Sequence, residues 1–209
     1  MFSEIIQDEA ALRAIIGNPN ERVVAKAISH LDDICRAFIA ASPFLLIASS
    51  DAEGRADVSP KGDPAGFVHV LDDQHLVIPD RPGNRRADTL TNVLQNPHVG
   101  LLFLIPGNED TLRVNGTVQI VRDLSLRQRL TMQGKTPELA LVVHVEEVFL
   151  HCAKCMRRSK LWATAMMGNA DAQAAVPSLA QAMVTHARLS MSVEEMDALI
   201  QRDYETRLY

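Results

Sequence analysis

The stretch HVGLLFLIPGNEDTLRVNGTVQIV, residues 98–121, decides the fold. His98 to Ile105 is a near-continuous apolar run of strand length, which predicts a central strand. Pro106-Gly107-Asn108-Glu109-Asp110 turns the chain. Thr111 to Val121 returns as a second long strand, in which Gly116 predicts a bulge or bend. Two strands joined by so short a turn pair antiparallel.

The same grammar continues on both sides. Pro43 opens the apolar run PFLLIASS, Asp51-Ala52-Glu53-Gly54 is a hairpin-type turn, and Arg55 to Ser59 alternates as a second strand. Phe67 to Leu71 and His75 to Ile78 are further strands, separated by Asp72-Asp73. Residues 85–95 predict a short helix with Leu90, Val93 and Leu94 on its apolar face, ended by Asn96-Pro97. Residues 124–133 predict another helix, and Leu139 to Leu150 the last strand. Short strands and tight turns predict a small antiparallel barrel, and one inserted helix is too little for repeated βαβ units.

The flanks read differently. Residues 3–41 are helical in pattern, stopped by Gly17-Asn18-Pro19 and broken again near residues 30–33. From Cys152 onward the chain is helical or irregular, and Ser192-Val193-Glu194-Glu195 is a capping box that starts a final helix. The division expected is a helical segment over 1–41 packed on the barrel, a core over 42–165, and helices over 166–209, all one domain.

Composition narrows the classes. The 209 residues carry 21 Lys plus Arg against 26 Asp plus Glu, a net charge of −5, so no general affinity for nucleic acid is expected. No apolar run reaches the roughly 18 residues of a membrane span. The first residues show no basic-then-apolar leader pattern, and 3 cysteines make no disulfide framework, so a reducing cytoplasm is expected.

Four stretches could carry chemistry. Asp57-Val58-Ser59-Pro60-Lys61-Gly62-Asp63 puts a hydroxyl, a cation and free N–H groups at a sheet edge, a set suited to a phosphate or the polar edge of a planar heterocycle. A polar surface hairpin would look the same. Pro79-Asp80-Arg81-Pro82-Gly83-Asn84-Arg85-Arg86-Ala87-Asp88 places Arg81, Arg85 and Arg86 between a strand and a helix start, with Asn84 as N-cap. Cations in a first helical turn oppose the dipole, and a bound anion would reverse the penalty. The alternative is a solvated basic turn compensated by Asp80 and Asp88.

His151-Cys152-Ala153-Lys154-Cys155 invites a metal or redox reading, but no second Cys pair completes a tetrahedral site. Two helical cysteines, one packed in the core, are expected instead, and no metal. Arg157-Arg158-Ser159-Lys160-Leu161-Trp162 sets the only Trp among basic residues, which fits an anionic cofactor, a subunit interface or nucleic acid. The residues name no catalytic nucleophile.

The order Ser-Pro-Lys-Gly-Asp-Pro, Pro-Asp-Arg-Pro-Gly-Asn-Arg-Arg, Asn96-Pro97-His98-Val99-Gly100-Leu101-Leu102-Phe103 and His-Cys-x-Lys-Cys resembles the pyridoxamine 5′-phosphate oxidase-like flavoproteins over about residues 35–165. The resemblance implies a six-stranded antiparallel split barrel with peripheral helices (α+β) and a homodimer that binds FMN between its subunits. Asp57, Ser59, Lys61 and Gly62 would line the ring edge. Pro79, Asp80, Arg81, Asn84, Arg85, Arg86 and Asn92 would hold the phosphate and ribityl chain, with Arg113 reaching the same groove. Arg157, Ser159 and Trp162 would come from the partner subunit. The implied activity is FMN-dependent oxidoreduction of a small substrate. A non-catalytic flavin sensor, a haem binder using His69 or His144, and a metal protein on Cys152 and Cys155 are the rivals.

Overall fold

The computed structural model describes residues 2–163 and 176–209. Seven strands form one antiparallel sheet: β1 Phe44–Ser50, β2 Ala56–Gly62, β3 His69–Val70, β4 His75–Pro79, β5 His98–Leu104, β6 Thr111–Val121 and β7 Ala140–His151. Their order is β2-β1-β5-β6-β7-β4-β3. The quoted stretch is the β5–β6 hairpin, in register from His98 opposite Thr117 to Phe103 opposite Leu112.

Alternate residues from strands at opposite ends of that order share one core. Leu45 and Ile47 of β1, Phe103 of β5, Val114 of β6, Val143 of β7 and Ile78 of β4 lie in a single cluster. The sheet therefore rolls around its interior. The expected six-stranded barrel is corrected in two respects. The short β3 adds a seventh strand, and no backbone ladder joins β2 to β3, so the roll stays open along that seam.

The bulge expected at Gly116 is present. The β6–β7 register slips between Asn115 and Gly116, where Gly116 faces Val145 and Asn115 faces Glu147. Glu146 is the extra residue, and the inward alternation of β7 shifts phase across it, from Val145 to Val148. A Cβ on Gly116 would lie 2.0 Å from the His144 carbonyl oxygen.

The helices are peripheral. α1 Glu9–Ile16 and α2 Glu21–Ala25 bury no residue, whereas α3 Asp33–Ala41 buries Cys35 and Ile39 against the core. The break expected near residues 30–33 is present and begins earlier, between Ala25 and Asp33, where Ile28 exchanges backbone hydrogen bonds with Val148 of β7. α4 Asp88–Gln95 seats Thr89 and Val93. α5 Leu124–Arg129 lies beside a small second cluster of Val77, Leu130 and Ala140. α6 Lys154–Ser159 follows β7, and α7 Leu179–His186 and α8 Val193–Thr206 pack on each other, each started by a capping box. The expected boundary at 165/166 falls outside the described residues.

The β1–β2 turn fixes the register of the edge strand. Asp51 accepts the backbone N–H groups of Arg55 at 2.9 Å and Glu53 at 3.0 Å, and the Arg55 guanidinium at 2.7 Å. Those donors, the Arg55 amide foremost, hold its carboxyl below the usual carboxylate range. Because the folded value is the depressed one, the stabilisation is complete above the ordinary carboxylate range and fades as pH falls through the folded value.

Two outcomes are expected. Gly116→Ala should lower the unfolding free energy in urea by about 3 kcal/mol, since the β7 backbone must move to admit the methyl group. Asp51→Asn should lower Tm at pH 7, and the gap to the parent should close at pH values below the carboxylate range; a gap unchanged by acid would contradict the assigned role of Asp51.

Candidate functional site

The open seam is where the expected residues gather. β2 has a strand partner on one side only, β1. Its burial alternates, so Asp57, Ser59 and Lys61 face the half-buried side while Val58 and Pro60 face out. Pro60 lacks an N–H and suits an edge strand. Thr89 of α4 donates to Ser59 Oγ at 3.0 Å, and Ser59 donates to Asp57 at 3.2 Å. Lys61 Nζ lies 3.4 Å from Asp80 across the seam.

The segment after β4 forms the opposite wall. Asp80 is tied by its N–H to the Leu139 carbonyl. Arg81 turns inward: Nε donates to Asp63 Oδ2 at 2.7 Å and Nη2 to the Leu130 carbonyl at 3.0 Å. The pair is largely buried, with side chains 15% and 1% exposed. Asp63 Oδ1 accepts the Tyr209 phenol at 2.6 Å, and the Arg81 guanidinium lies over that ring. Arg81 is thus a structural cation rather than an open phosphate ligand.

The helix start is also corrected. Asn84 is not the N-cap, and Arg85 and Arg86 are not in the first turn. Arg85 and Ala87 are left-handed, with φ of 62° and 58°, and the helix begins at Asp88. Asn84 Oδ1 instead accepts the Arg86 N–H at 3.0 Å. An acid, Asp88, occupies the first turn, as the dipole favours, and pairs with Arg86 at 2.8 Å. That carboxylate raises the Arg86 pKa. The anion argument based on a dipole conflict therefore falls away.

A different argument replaces it. A cavity of about 1190 Å³ is bounded by residues 57–63, 79–90, 135–138 and 208–209. Of the cations lining it, Lys61, Arg81 and Arg86 have carboxylate partners. Arg85 and Lys135 have none among the described residues, so two guanidinium or ammonium groups remain to meet an anion. Lys135 is delivered by a tight turn through left-handed Gln133 and Gly134, closed by paired Met132 and Lys135 backbone bonds.

Gly62, Pro79 and Asn84 also line the cavity; Asn92, Arg113, Arg157, Ser159 and Trp162 do not. Asn92 donates to Ser49 Oγ at 3.1 Å and pins α4 to β1. Arg113 and Lys26 both lie over the Phe149 ring. Arg157 pairs with Glu109 at 2.7 Å, the Trp162 indole donates to the Asn108 carbonyl at 2.7 Å, and Ser159 bonds the Met156 carbonyl. Arg157 and Trp162 thereby sit on the β5–β6 turn. Asp63, Thr89, Lys135 and Tyr209 were missed. Only Asp63 and Thr89 lie in or beside stretches whose pattern drew notice.

The cysteine expectation fails in two parts: Cys152 lies before α6 rather than in it, and Cys152 and Cys155 are both exposed, the buried thiol being Cys35, pushed up to about 12 by burial. His75 bridges Asp72 at 2.9 Å and His144 at 3.3 Å on the outer side of β4 and β7, and burial lowers the pKa of His69. No group of three potential metal ligands forms among the described residues, and none of their helices is long and apolar enough to cross a membrane.

Comparison with known proteins gives one match of weight. A family model described as pyridoxamine 5′-phosphate oxidase matches residues 31–152. Among solved structures, Group A Streptococcus HupZ aligns at 17% identity and TM-score 0.47 over 57% of this chain and 92% of its own. General stress protein 26 from Bacillus anthracis aligns at 13% and 0.43 over 55% and 88%. An FMN-binding protein from Syntrophomonas wolfei aligns at 11% and 0.45 over 69% and 96%. None of the curated proteins matches the chain.

The two arginines should separate in stability. Arg81→Ala leaves a buried carboxylate short of its partner and should cost about 3–5 kcal/mol in urea unfolding. Arg85→Ala, at an exposed position, should stay within about 0.5 kcal/mol. Equal effects would refute the assignment of Arg81 to the seam.

Proposed function

The chain belongs to the pyridoxamine 5′-phosphate oxidase family, and from that premise we propose that it is an FMN-dependent oxidoreductase acting on a small organic substrate. The observation that carries the reading is the pair of cations without carboxylate partners among the described residues, Arg85 and Lys135, on a cleft whose other cations are paired with carboxylates.

The donor set fits a flavin mononucleotide. Arg85, with the backbone of the 83–87 loop and Asn84, would hold the terminal phosphate, since guanidinium groups bind phosphate oxygens bidentately. Ser59 and Lys61, spaced by two on β2, would offer donors to the polar edge of the ring. When bound, FMN supplies the redox chemistry. The residues would bind it, orient it and offer a cation to the polar edge of its ring. Asp80 holds the Lys61 ammonium at the seam, and Thr89 and Asp57 fix the Ser59 hydroxyl.

The reading includes a homodimer. Arg113, Arg157, Ser159 and Trp162 lie away from the cleft of their own chain. In the proposed assembly Arg157, Ser159 and Trp162 of each subunit cover the cleft of the other. Arg157 and Trp162 are held in place by the 108–109 turn, which supports their acting as a preset unit.

Purified protein should take up FMN with flavin absorbance and a rise in Tm. Arg85→Ala should weaken the affinity by about 1.5–3 kcal/mol, the worth of a charge-assisted contact, while Asp8→Asn at the α1 N-cap should leave it unchanged. Reduction of the bound flavin by NADH or NADPH, then turnover with an acceptor, separates an enzyme from a flavin carrier. Protein that never takes up FMN removes the proposal.

A further inference from the structure

Tyr209 enters the cleft from outside the two stretches that form its main walls. α8 ends at Thr206, Leu208 stays 61% exposed, and the Tyr209 side chain is the part that engages. Its phenol donates to Asp63 Oδ1 at 2.6 Å, while Asp63 Oδ2 holds Arg81. Arg81 touches three separate parts of the chain: Asp63 at the end of β2, the Leu130 carbonyl leading into the Lys135 turn, and the Tyr209 ring. Among the described elements, α7 and α8 make their main contacts with each other, and Leu208 and Tyr209 carry the chain from α8 to the cleft.

The cavity bounds this further. About 1190 Å³ is more than the roughly 300–1,000 Å³ of most small-ligand sites. Tyr209 lines this cleft rather than filling it.

We infer that Tyr209 is a retaining wall of this cleft, a positioning residue that, held by Asp63, slows the departure of the bound ligand. The inference rests on the flavin reading above. Tyr209 lines the cleft on the side of Asp63 and Arg81, and a ligand leaving on that side displaces the phenol from Asp63. Breaking a hydrogen bond to a buried carboxylate adds to the barrier for release and leaves the encounter rate little changed.

The phenol is already marked. Acceptance by Asp63 raises the Tyr209 pKa, and Tyr204 is the only other tyrosine. Ultraviolet titration of the intact protein should show a late-ionising phenol that Tyr209→Phe abolishes.

The test is flavin release from FMN-loaded full-length protein, followed by recovery of flavin fluorescence after dilution. Tyr209→Ala should release FMN about tenfold to a hundredfold faster, the equivalent of one charge-assisted bond. Its association rate should stay within about twofold. Tyr209→Phe, which keeps the ring under Arg81, should fall between. A residue that only anchored the helices would lower Tm and leave the release rate alone, so an unchanged rate in Tyr209→Ala overturns the inference. Protein that binds no FMN fails the functional reading and this inference together, whereas FMN uptake with an unchanged release rate in Tyr209→Ala fails this inference alone.

Discussion

The Arg81–Asp63 ion pair spans the one place where the sheet does not close on itself. Elsewhere neighbouring strands are held by backbone ladders, but β2 and the segment after β4 face each other across a seam with no ladder. Burying two charges there costs desolvation, and the cost is offset only if every lone pair and proton finds a partner. The geometry meets that condition on the acid. Both Asp63 oxygens are used, one by Arg81 and one by Tyr209. Such a pair specifies a distance more than it adds stability, and the distance it specifies is the width of the cleft.

An edge strand is normally a liability, because its free backbone groups invite pairing with another chain. β2 handles this with Pro60 and with a charged, half-buried face. The same choices make it a polar wall of the cavity. Asp57, Ser59 and Lys61 project into the cavity because a period of two puts them on one side. The Asp51 turn keeps that period in phase with β1, since a slip of one residue would turn all three away. Register here is a functional quantity.

Much of this was legible in local pattern. The strands, the β5–β6 turn and the bulge at Gly116 follow from apolar runs and from Gly and Pro punctuation. Asp57, Ser59 and Lys61 stood out because alternation places them together. The start of α4 was not legible, because left-handed Arg85 and Ala87 carry no local marker; a glycine there would have given one. Nor could the pattern divide the arginines. Arg81, Arg85 and Arg86 look alike in sequence, and their partners lie 18 residues back for Arg81 and two ahead for Arg86, with none for Arg85 among the described residues. Lys135 and Tyr209 are remote in sequence and are brought to the cleft only by the packing of the chain. The exposure of Cys152 and Cys155 follows from where β7 ends, a boundary that propensity places poorly.

The charge of the cleft argues for geometry over field. Five basic side chains (Lys61, Arg81, Arg85, Arg86 and Lys135) line it, and so do five acidic ones (Asp57, Asp63, Asp80, Asp88 and Glu138). In a chain of net charge −5 such a site has no long-range pull on anions. Three of the cations are spent on carboxylates within the cleft, and Glu138 turns to Arg122 and Arg127 outside it. Arg85 and Lys135 have no carboxylate partner among the described residues, so they carry the positive charge that the cleft presents at contact range. In the proposed function a phosphate would therefore be captured by contact geometry within the cleft rather than drawn in from a distance.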